Sequence, residues 1–453
     1  MTQKEALKIL KTGANVFLTG APGSGKTHTI NEFIKYLREH DIEPSITAST
    51  GIAATHIGGM TIHSWSGIGI KSRLNDYDLD KISSSRHIIK RIGKARVLII
   101  DEISMLRPNT LGMVDAVCRE VKRKAEPFGG LQVVFVGDFF QLPPIIRDED
   151  IDNTPKLFTN KEAQFAYNSD LWKKLKMITC YLTEQHRQDD EDFLSLLSAI
   201  RSNALEEKHF GYLQTRQEAV GKVPTDITKL FPHNADVDIV NNAELEILPG
   251  DKEIFNMRSM GKDNVVANLK KGCLSPETLE LKIGASVMFT KNNPQKGFVN
   301  GTTGIVVSFD ADNMYPIVKT RSGRYIEVES MDWSVEDDGR ILAKITQIPL
   351  RLAWAITVHK SQGMSLDCAV MNLSRVFEYG QGYVALSRVR RLSGLYLLGI
   401  NDKALVVHPE VLKQDKEFRS VSKETERMFK EIGLSELSKM HKNFIIALGG
   451  HIS

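Results

Sequence analysis

The stretch LTGAPGSGKTHTIN, residues 18–31, has the residue types and spacing to hold a polyphosphate. Gly20, Gly25, Lys26 and Thr27 stand at the separations G-x-x-x-x-G-K-[ST], with Gly23 and Ser24 between them. Small residues let the backbone wrap closely round a phosphate so that its N–H groups meet the oxygens. A lysine at the end of the loop neutralises the terminal phosphates, and the following hydroxyl ligates a divalent cation. The bare pattern is expected by chance in on the order of one or two chains per hundred of this size. Its partner lies downstream in VLIIDEISML, where an apolar run ends in Asp101 and Glu102. Asp101 is suited to holding Mg²⁺, largely through water, and Glu102 to polarising an attacking water. A strand ending in two acids is otherwise ordinary; pairing with Lys26 and Thr27 makes it half of a nucleotide-hydrolysing site.

Three further polar residues end similar runs. Gln141 follows LQVVFVGDFF, and its amide can accept from water and donate to phosphate at once. Arg187 ends MITCYLTEQHR at the junction of two expected domains, where an arginine finger would be placed. Arg388, in GQGYVALSRVRR, is a second candidate for reaching phosphate across a cleft. A lone arginine is more often a surface residue. The segment SITASTGIAATHIGGMTIHSWSGIG, residues 45–69, carries glycines, hydroxyls, imidazoles and Trp65, the parts that hold a single-stranded sugar-phosphate chain and stack its bases. Such loops are common, however, and Trp65 could equally be core.

These residues need strands and helices to position them. Residues 15–20 (NVFLTG) read as a buried strand, and Ile30, Phe33, Ile34 and Leu37 recur at i, i+3, i+4, i+7, one face of a helix. Strand, glycine-rich loop and helix follow in the order a phosphate loop requires, and the helix N-terminus adds its dipole. Residues 71–94 are polar and partly helical, an excursion from the first domain. Phe139 and Phe140 read as packing, and residues 148–154 as an exposed loop. Residues 228–242 open a second α/β unit, and residues 279–293 read as a strand pair. The Asn300-Gly301 step marks a hairpin, after which short alternating strands continue to about residue 348, suggesting a small inserted β-barrel. The α/β pattern resumes at LAWAITVHKSQG, which ends in Thr357, His359, Lys360, Ser361 and Gln362. The last fifty or so residues are helical and carry no chemical signal.

Composition sets the class. With 453 residues, 42% hydrophobic and 25% charged, the chain is long enough for two to four soluble domains. It lacks an apolar run of membrane-spanning length and a signal-peptide pattern at its start. Four cysteines are scattered with no C-x-x-C pair, which argues against a zinc site and a disulfide framework and fits a reducing cytoplasm. The net charge of +3 conceals basic clusters at residues 86–96, 119–124 and 388–391, offset by acidic runs at 148–152 and 189–192. A polyanion site on one face is compatible with that total, although any single cluster is more often a solvated helix face.

With these residues in hand, the chain resembles the Pif helicases, the petite-integration-frequency family within the 5′→3′ branch of helicase superfamily one. GAPGSGKT, TGIAATHIGGMTIHSWSGIG, IIDEISML, PFGGLQVVFVGDFFQLPP, LTEQHRQ, LFPHNADVDIVN, GASVMFTKN, GFVNGTTG, ITVHKSQGMSLD and GYVALSRV resemble the family's blocks in sequence order over residues 13–400. The resemblance implies an α/β fold of two RecA-like phosphate-loop domains with ATP between them. The first would span 1–188, with a wedge insertion at about 71–94. The second would span 189–296 and 349–402, interrupted by a barrel at 297–348, with a helical extension over 403–453. Gln141, Arg187 and Arg388 would reach the nucleotide phosphates, with Gly363 beside them. Thr50, Gly51, His63, His233, Asn234, Thr357, His359 and Lys360 would line the strand path. The family's adenine-reading glutamine finds its one candidate in Gln3. Without the long N-terminal extension of nuclear and mitochondrial members, the expected form is bacterial and cytoplasmic, on the nucleoid.

The reading is therefore an ATP- and Mg²⁺-dependent DNA helicase that moves 5′→3′ on single-stranded DNA. The resemblance implies activity on tailed duplexes, forks, displacement loops and G-quadruplexes, in replication, repair or recombination. Two rivals remain: a phosphate-loop ATPase that remodels protein without separating strands, and a nucleotide-regulated clamp on a single strand. Glu102 disfavours the clamp, since a binder needs no positioned base. The His, Thr and Lys loops disfavour the remodeller.

Overall fold

A computed structural model describes residues 1–69, 71–144, 165–185, 190–218, 227–298, 300–337 and 340–451. The chain divides into two units. Met1–Phe210, Glu378–Arg391 and Asp402–Ser453 form the first, and Gly211–Phe377 with Leu392–Asn401 the second. The exposed loop expected at residues 148–154 lies outside the described residues. Among the described residues no helix is long and apolar enough to cross a membrane.

The first unit is built on one parallel sheet. Its strands β1 (Val16–Gly20), β2 (Ser45–Ala48), β3 (Met60–Thr61), β4 (Val97–Asp101), β5 (Gln132–Val136) and β6 (Ile178–Leu182) lie in the order β3-β2-β4-β5-β1-β6. Strand β1 is buried throughout, with Val16 opposite Val134 on one side and Ile178 on the other. Near-continuous apolar runs such as VLIID are what a parallel sheet covered on both faces requires. Side chains alternate between those faces. Val16 and Leu18 pack with Ile9 and Leu10 of helix α1 (Gln3–Leu10) and with Ile30, Phe33, Ile34 and Leu37 of helix α2 (Lys26–Arg38). All four expected residues of the α2 face are buried, each worth roughly 1.5–3 kcal/mol of transfer free energy. Phe17 points to the opposite layer, 5.1 Å from the Trp172 ring and 5.0 Å from Phe418.

The C-terminal fifty residues carry much of this packing. Phe418, on the helix Pro409–Glu431, closes the aromatic layer, while Phe444 and Ile445, on the helix Leu434–Ala447, join the core beneath α1 and α2. Residues 402–453 are thus part of the first unit, a role their mixed-charge sequence does not announce. The excursion at 71–94 forms two helices, Asp76–Ser83 and Arg86–Lys94, the first capped by the Asn75 side-chain Oδ1 accepting from the Asp78 N–H at 2.7 Å.

The second unit also has a parallel sheet. Its strands β7 (Lys229–Phe231), β18 (Ala355–Thr357), β19 (Ala369–Leu373) and β20 (Leu395–Ile400) run in the order β18-β7-β19-β20. The buried Asn241 of the helix Asn234–Ile247 donates to the Ala355 carbonyl at 3.0 Å and accepts from its N–H at 2.9 Å, so that a side chain satisfies the β18 backbone. Among the described residues, ten antiparallel strands come between β7 and β18: β8 (Glu253–Asn256), β9 (Arg258–Gly261), β10 (Thr278–Leu281), β11 (Ser286–Phe289), β12 (Thr303–Phe309), β13 (Pro316–Thr320), β14 (Tyr325–Glu327), β15 (Met331–Asp337), β16 (Arg340–Gln347) and β17 (Leu350–Leu352). They form sheets in the orders β14-β13-β12-β11-β17, β15-β16-β9 and β10-β8. Two expectations are corrected here. The strands at 303–347 recruit β9, β11 and β17 from outside the expected insertion: β11 and β17 share a core with β12 and β13 around Val287, Phe289, Val306 and Val318, whereas the exposed β9 joins through its backbone pairing with β16. The two strands within 279–293 do not pair with each other: β10 pairs with β8, and β11 with β12 and β17.

Candidate functional site

In the sheet order β4-β5-β1, three neighbouring strands end on the same edge, where ligands of open α/β sheets bind. Strand β1 delivers the loop 20–25 into α2. Gly25 precedes the helix at φ 88°, a left-handed backbone that favours glycine, and a Cβ there would also displace the Gln3 side chain from its Nε2 position 2.0 Å away. Gln3 itself donates from Nε2 to the Ser24 carbonyl at 3.3 Å, which seats α1 against the loop. Lys26 folds its ammonium back over the loop and donates to the carbonyls of Gly20 at 2.7 Å and Ala21 at 3.1 Å. Burial lowers its pKa, opposed by the carboxylates of Asp138, Glu102 and Asp101. Thr27 is exposed in the first turn of α2.

Strand β4 ends at Asp101, whose Oδ1 accepts from the Glu102 N–H at 2.8 Å. Glu102 is left-handed at φ 51°, ψ 47°, a conformation a non-glycine residue adopts at a cost on the order of 1 kcal/mol or more. Burial pushes both carboxyls up; for Glu102 the neighbouring Asp101 adds to it, while Lys26 and Arg388 pull it down. Strand β5 runs into Asp138, Phe139, Phe140 and Gln141, all buried. The two phenylalanines are packing residues, as expected.

Arg388 is placed with the first unit, whereas the sequence reading assigns it to the second domain. The reason is local. Gly380, at φ 76°, lies so close to residues 140 and 141 that a Cβ would sit 2.5 Å from the Phe140 carbonyl oxygen and 2.6 Å from that of Gln141. This contact docks the helix Gln381–Leu386 on the end of β5, and Arg388 follows it, fully buried, donating from Nε to the Val384 carbonyl at 2.8 Å and from Nη2 to the Ser387 hydroxyl at 2.8 Å. Lys26, Asp101, Glu102, Gln141 and Arg388 are therefore brought to one end of one sheet. Arg187 lies outside the described residues.

The hydroxyls of Ser24, Ser49 and Ser104, at the ends of β1, β2 and β4, are buried without a hydrogen-bond partner. Buried hydroxyls are normally bonded. Three of them beside two carboxyls destabilised by burial fit a polar, cation-bearing ligand, and Thr27 with Asp101 could hold the cation. Among the described residues, no group of three His, Cys, Asp or Glu forms a separate metal site.

Sequence reasoning missed a second layer. Arg201 donates to Asp138 Oδ2 at 2.7 Å, to the Tyr383 hydroxyl at 3.1 Å and to the Tyr181 hydroxyl at 2.9 Å. Arg419 donates to the same Tyr181 hydroxyl and to Asp415 Oδ2, both at 2.6 Å. One readable signal existed: Arg201 lies four residues after Leu197 and eight after Phe193, a charge on the buried face of its helix.

The expected strand-path residues occur in both units. In the first, the Thr50 hydroxyl accepts from the Ala53 N–H at 3.2 Å, and Gly51 opens the helix Gly51–His56. His63 is half-buried, which lowers its pKa. Trp65 is a core residue, 2% exposed, so it presents no ring to a base. In the second unit Asn234 is exposed at the start of its helix, with His233 just before it. Thr357 ends β18 and accepts from the Lys360 N–H at 3.3 Å. His359 and Lys360 form a 3₁₀ turn, and Gly363 is exposed at φ 79°. Lys360 is pushed down to about 8 by burial and by Arg351, with Asp238 opposing.

Comparison with known proteins places this geometry. Residues 2–209 match the model of the PIF1-like helicase family, and residues 266–309 that of the DNA helicase Pif1 2B domain. The chain is 42% identical to the ATP-dependent DNA helicase Pif1 of Psychrobacter sp. (strain PRwf-1), over 100% of this chain and 76% of the relative. It belongs to the PIF1-like helicases. The crystal structure of Pif1 helicase from Candida albicans superposes with a TM-score of 0.79 at 33% identity, over 92% of this chain and 98% of that one. A Bacteroides Pif1 helicase structure in complex with ADP-AlF3 and single-stranded DNA gives 0.72 at 31%, over 92% and 96%. As a PIF1-like helicase the chain is an enzyme that couples nucleotide hydrolysis to work on nucleic acid, and its parallel α/β core is that of the solved family members.

Proposed function

We propose that the chain is an ATP-dependent DNA helicase that moves 5′→3′ along single-stranded DNA and opens tailed duplexes and forks. The observation that carries the reading is the convergence of Lys26, Asp101, Glu102, Gln141 and Arg388 at the ends of β1, β4 and β5. In this reading the loop 20–27 binds the ATP phosphates, with Lys26 exchanging its carbonyl partners for phosphate oxygens. Glu102 accepts a proton as the oxygen of a water molecule bonds to the γ-phosphorus and the bridging oxygen leaves with ADP. Gln141 orients that water, and Arg388, with Arg187, offsets charge gathering on the phosphoryl oxygens. Thr27 and Asp101 would hold Mg²⁺, which supplies charge neutralisation at the phosphates.

Work on DNA follows if the two units grip the strand differently with and without ATP. The grip is assigned to Thr50, Gly51 and His63 in the first unit and to His233, Asn234, Thr357, His359 and Lys360 in the second. Direction, and activity on displacement loops and G-quadruplexes, rest on the family resemblance. Likeness to a Psychrobacter relative along the whole chain supports a bacterial setting, on nucleoid DNA in replication, repair or recombination. Two measurements test the reading. Single-stranded DNA should stimulate ATP hydrolysis, and a duplex with a 5′ tail should be opened where the same duplex with a 3′ tail is not. Hydrolysis indifferent to DNA would favour a protein remodeller, and binding without hydrolysis a clamp. Opening only the 3′-tailed duplex would reverse the direction and leave the ATP site standing.

A further inference from the structure

We infer that Phe377 is a base-stacking platform for the single strand on the second unit. The inference rests on the proposed DNA-binding reading and adds a residue that the strand-path set omits. Phe377 is 55% exposed, and its ring stacks on that of His233 with centroids 4.8 Å apart and planes 24° apart. A single exposed phenylalanine is ordinary. This one is distinguished by how it is held and by its neighbours.

The backbone that carries it is fixed by side chains. Asn372 Oδ1 accepts from the N–H and the hydroxyl of Ser374, at 3.2 and 2.6 Å. The Arg375 carbonyl accepts from the His233 ring nitrogen at 3.1 Å, and the Arg375 guanidinium pairs with Asp236 at 3.0 Å. Val376 is buried, and its carbonyl accepts from Asn401 at 2.9 Å. A large apolar ring is thus presented to water on a pre-organised segment, which lowers the ordering cost of binding.

The neighbours supply charge. His233 faces His359 closely enough to depress its pKa further than burial alone does. Lys360 follows His359, and the charge of Arg351 adds to burial in lowering its pKa; the Arg351 Nε is buried without a hydrogen-bond partner. Two largely buried cations, one acting on the charge of the other, with Asp238 as the acid opposing both, call for an anion. The line Phe377, His233, His359, Lys360, Arg351 therefore offers a π-face at one end and phosphate contacts at the other. A single-stranded nucleic acid has both parts, and base stacking on an aromatic is tolerant of sequence, as a motor requires.

The test uses the whole chain and two oligodeoxynucleotides of equal length, one of thymidines and one with abasic sugars throughout its centre. Phe377→Ala should weaken binding to the thymidine strand by roughly tenfold, with an unchanged salt slope because no charge is removed. Phe377→Leu should lose nearly as much, whereas Phe377→Trp should bind within about twofold of the natural chain and show quenched fluorescence on binding. On the abasic strand the natural chain and Phe377→Ala should bind alike. Equal affinity of Phe377→Ala and the natural chain for thymidines, or an equal loss on both strands, would overturn the stacking role. A natural chain that binds neither strand would instead overturn the DNA-binding reading on which it stands.

Discussion

Arg201 Nη1 donates to Asp138 Oδ2 at 2.7 Å, although 63 residues separate the two and both side chains are buried. The guanidinium also lies 4.0 Å above the Phe140 ring, one residue before Gln141. Burial alone would lower the arginine's pKa, but Asp138 and the tyrosines hold it well above its ordinary value. Removing one member of a buried pair strands the other, at a cost of roughly 3–5 kcal/mol. Arg201→Met should therefore destabilise the first unit by an amount of that order, read as a lower urea midpoint. Asp138→Asn in the same chain should restore part of it, because no bare carboxylate is left. If Arg201→Met unfolds at the natural midpoint, the pair is not holding the end of β5.

At the phosphate loop the expected outcomes separate binding from turnover. Glu102→Gln keeps the shape and removes the base, so it should bind ATP while hydrolysing it at a rate lower by two or more orders of magnitude, within the contribution of a positioned general base. Lys26→Ala should weaken ATP binding itself. Nucleotide affinity and single-turnover hydrolysis, measured side by side, check both. Hydrolysis by Glu102→Gln near the natural rate would remove the residue from its assigned role.

Arg388 belongs with the phosphate-loop unit and touches the electrostatics of Glu102. Arg388→Ala should reduce DNA-stimulated hydrolysis at least a hundredfold, while nucleotide-free binding of single-stranded DNA stays within about threefold. Equal losses in both would point to a folding defect.

The strands that carry chemistry were legible because their residues serve two purposes visible in one dimension. VFLTG and VLIID are unbroken apolar runs ending abruptly in polar residues, and both are strands that open on the candidate site. The α2 face was legible for the same reason, its period being local. Arg201, Tyr181, Asp415 and Arg419 were not, since their meaning lies in one network that joins segments remote in sequence, such as Tyr181 to Arg419, 238 residues apart, at 2.6 Å. The placement of Arg388 turned on a packing detail, the approach of Gly380 to the Gln141 backbone. Phe377 carries no signal along the sequence, because its stack on His233 joins residues 144 apart.

The helix Pro409–Glu431 should prove integral to the motor unit. The Phe418 ring lies 5.0 Å from Phe17, 6.1 Å from Phe139 and 5.8 Å from Tyr167, with only 7% of the residue exposed. Phe418→Ala opens a cavity in that layer and should cost about 3–5 kcal/mol. Thermal unfolding followed by Trp172, whose ring is part of the same cluster, reports it. Loss of DNA-stimulated hydrolysis should track the unfolded fraction, and a full-strength enzyme with an unaltered melting point would show the helix to be dispensable.

Lys360 makes the proposed strand contact titratable in an accessible range. Its pKa is lowered to about 8 by burial, then by Arg351, with Asp238 pulling the other way. The ammonium is the form that attracts phosphate, and a bound phosphate in turn raises the pKa. At pH 7 and below the lysine is charged in roughly nine-tenths or more of the molecules, so its contribution is nearly fully present there. As pH rises through 8 the free protein loses the proton first, and each binding event must then take one up. Affinity for single-stranded DNA should accordingly hold level from about pH 7 to 7.5 and fall above 8, with a slope approaching, at most, tenfold per pH unit. His359, whose pKa burial lowers, titrates on the acid side and leaves this limb alone. Lys360→Gln should bind more weakly at pH 7, flatten the alkaline limb, and reduce the salt slope by about 0.7, one single-strand phosphate. Lys360→Arg should keep affinity at pH 9, where the natural chain has lost it. An alkaline limb that survives in Lys360→Gln would assign the proton to another group and detach Lys360 from the strand.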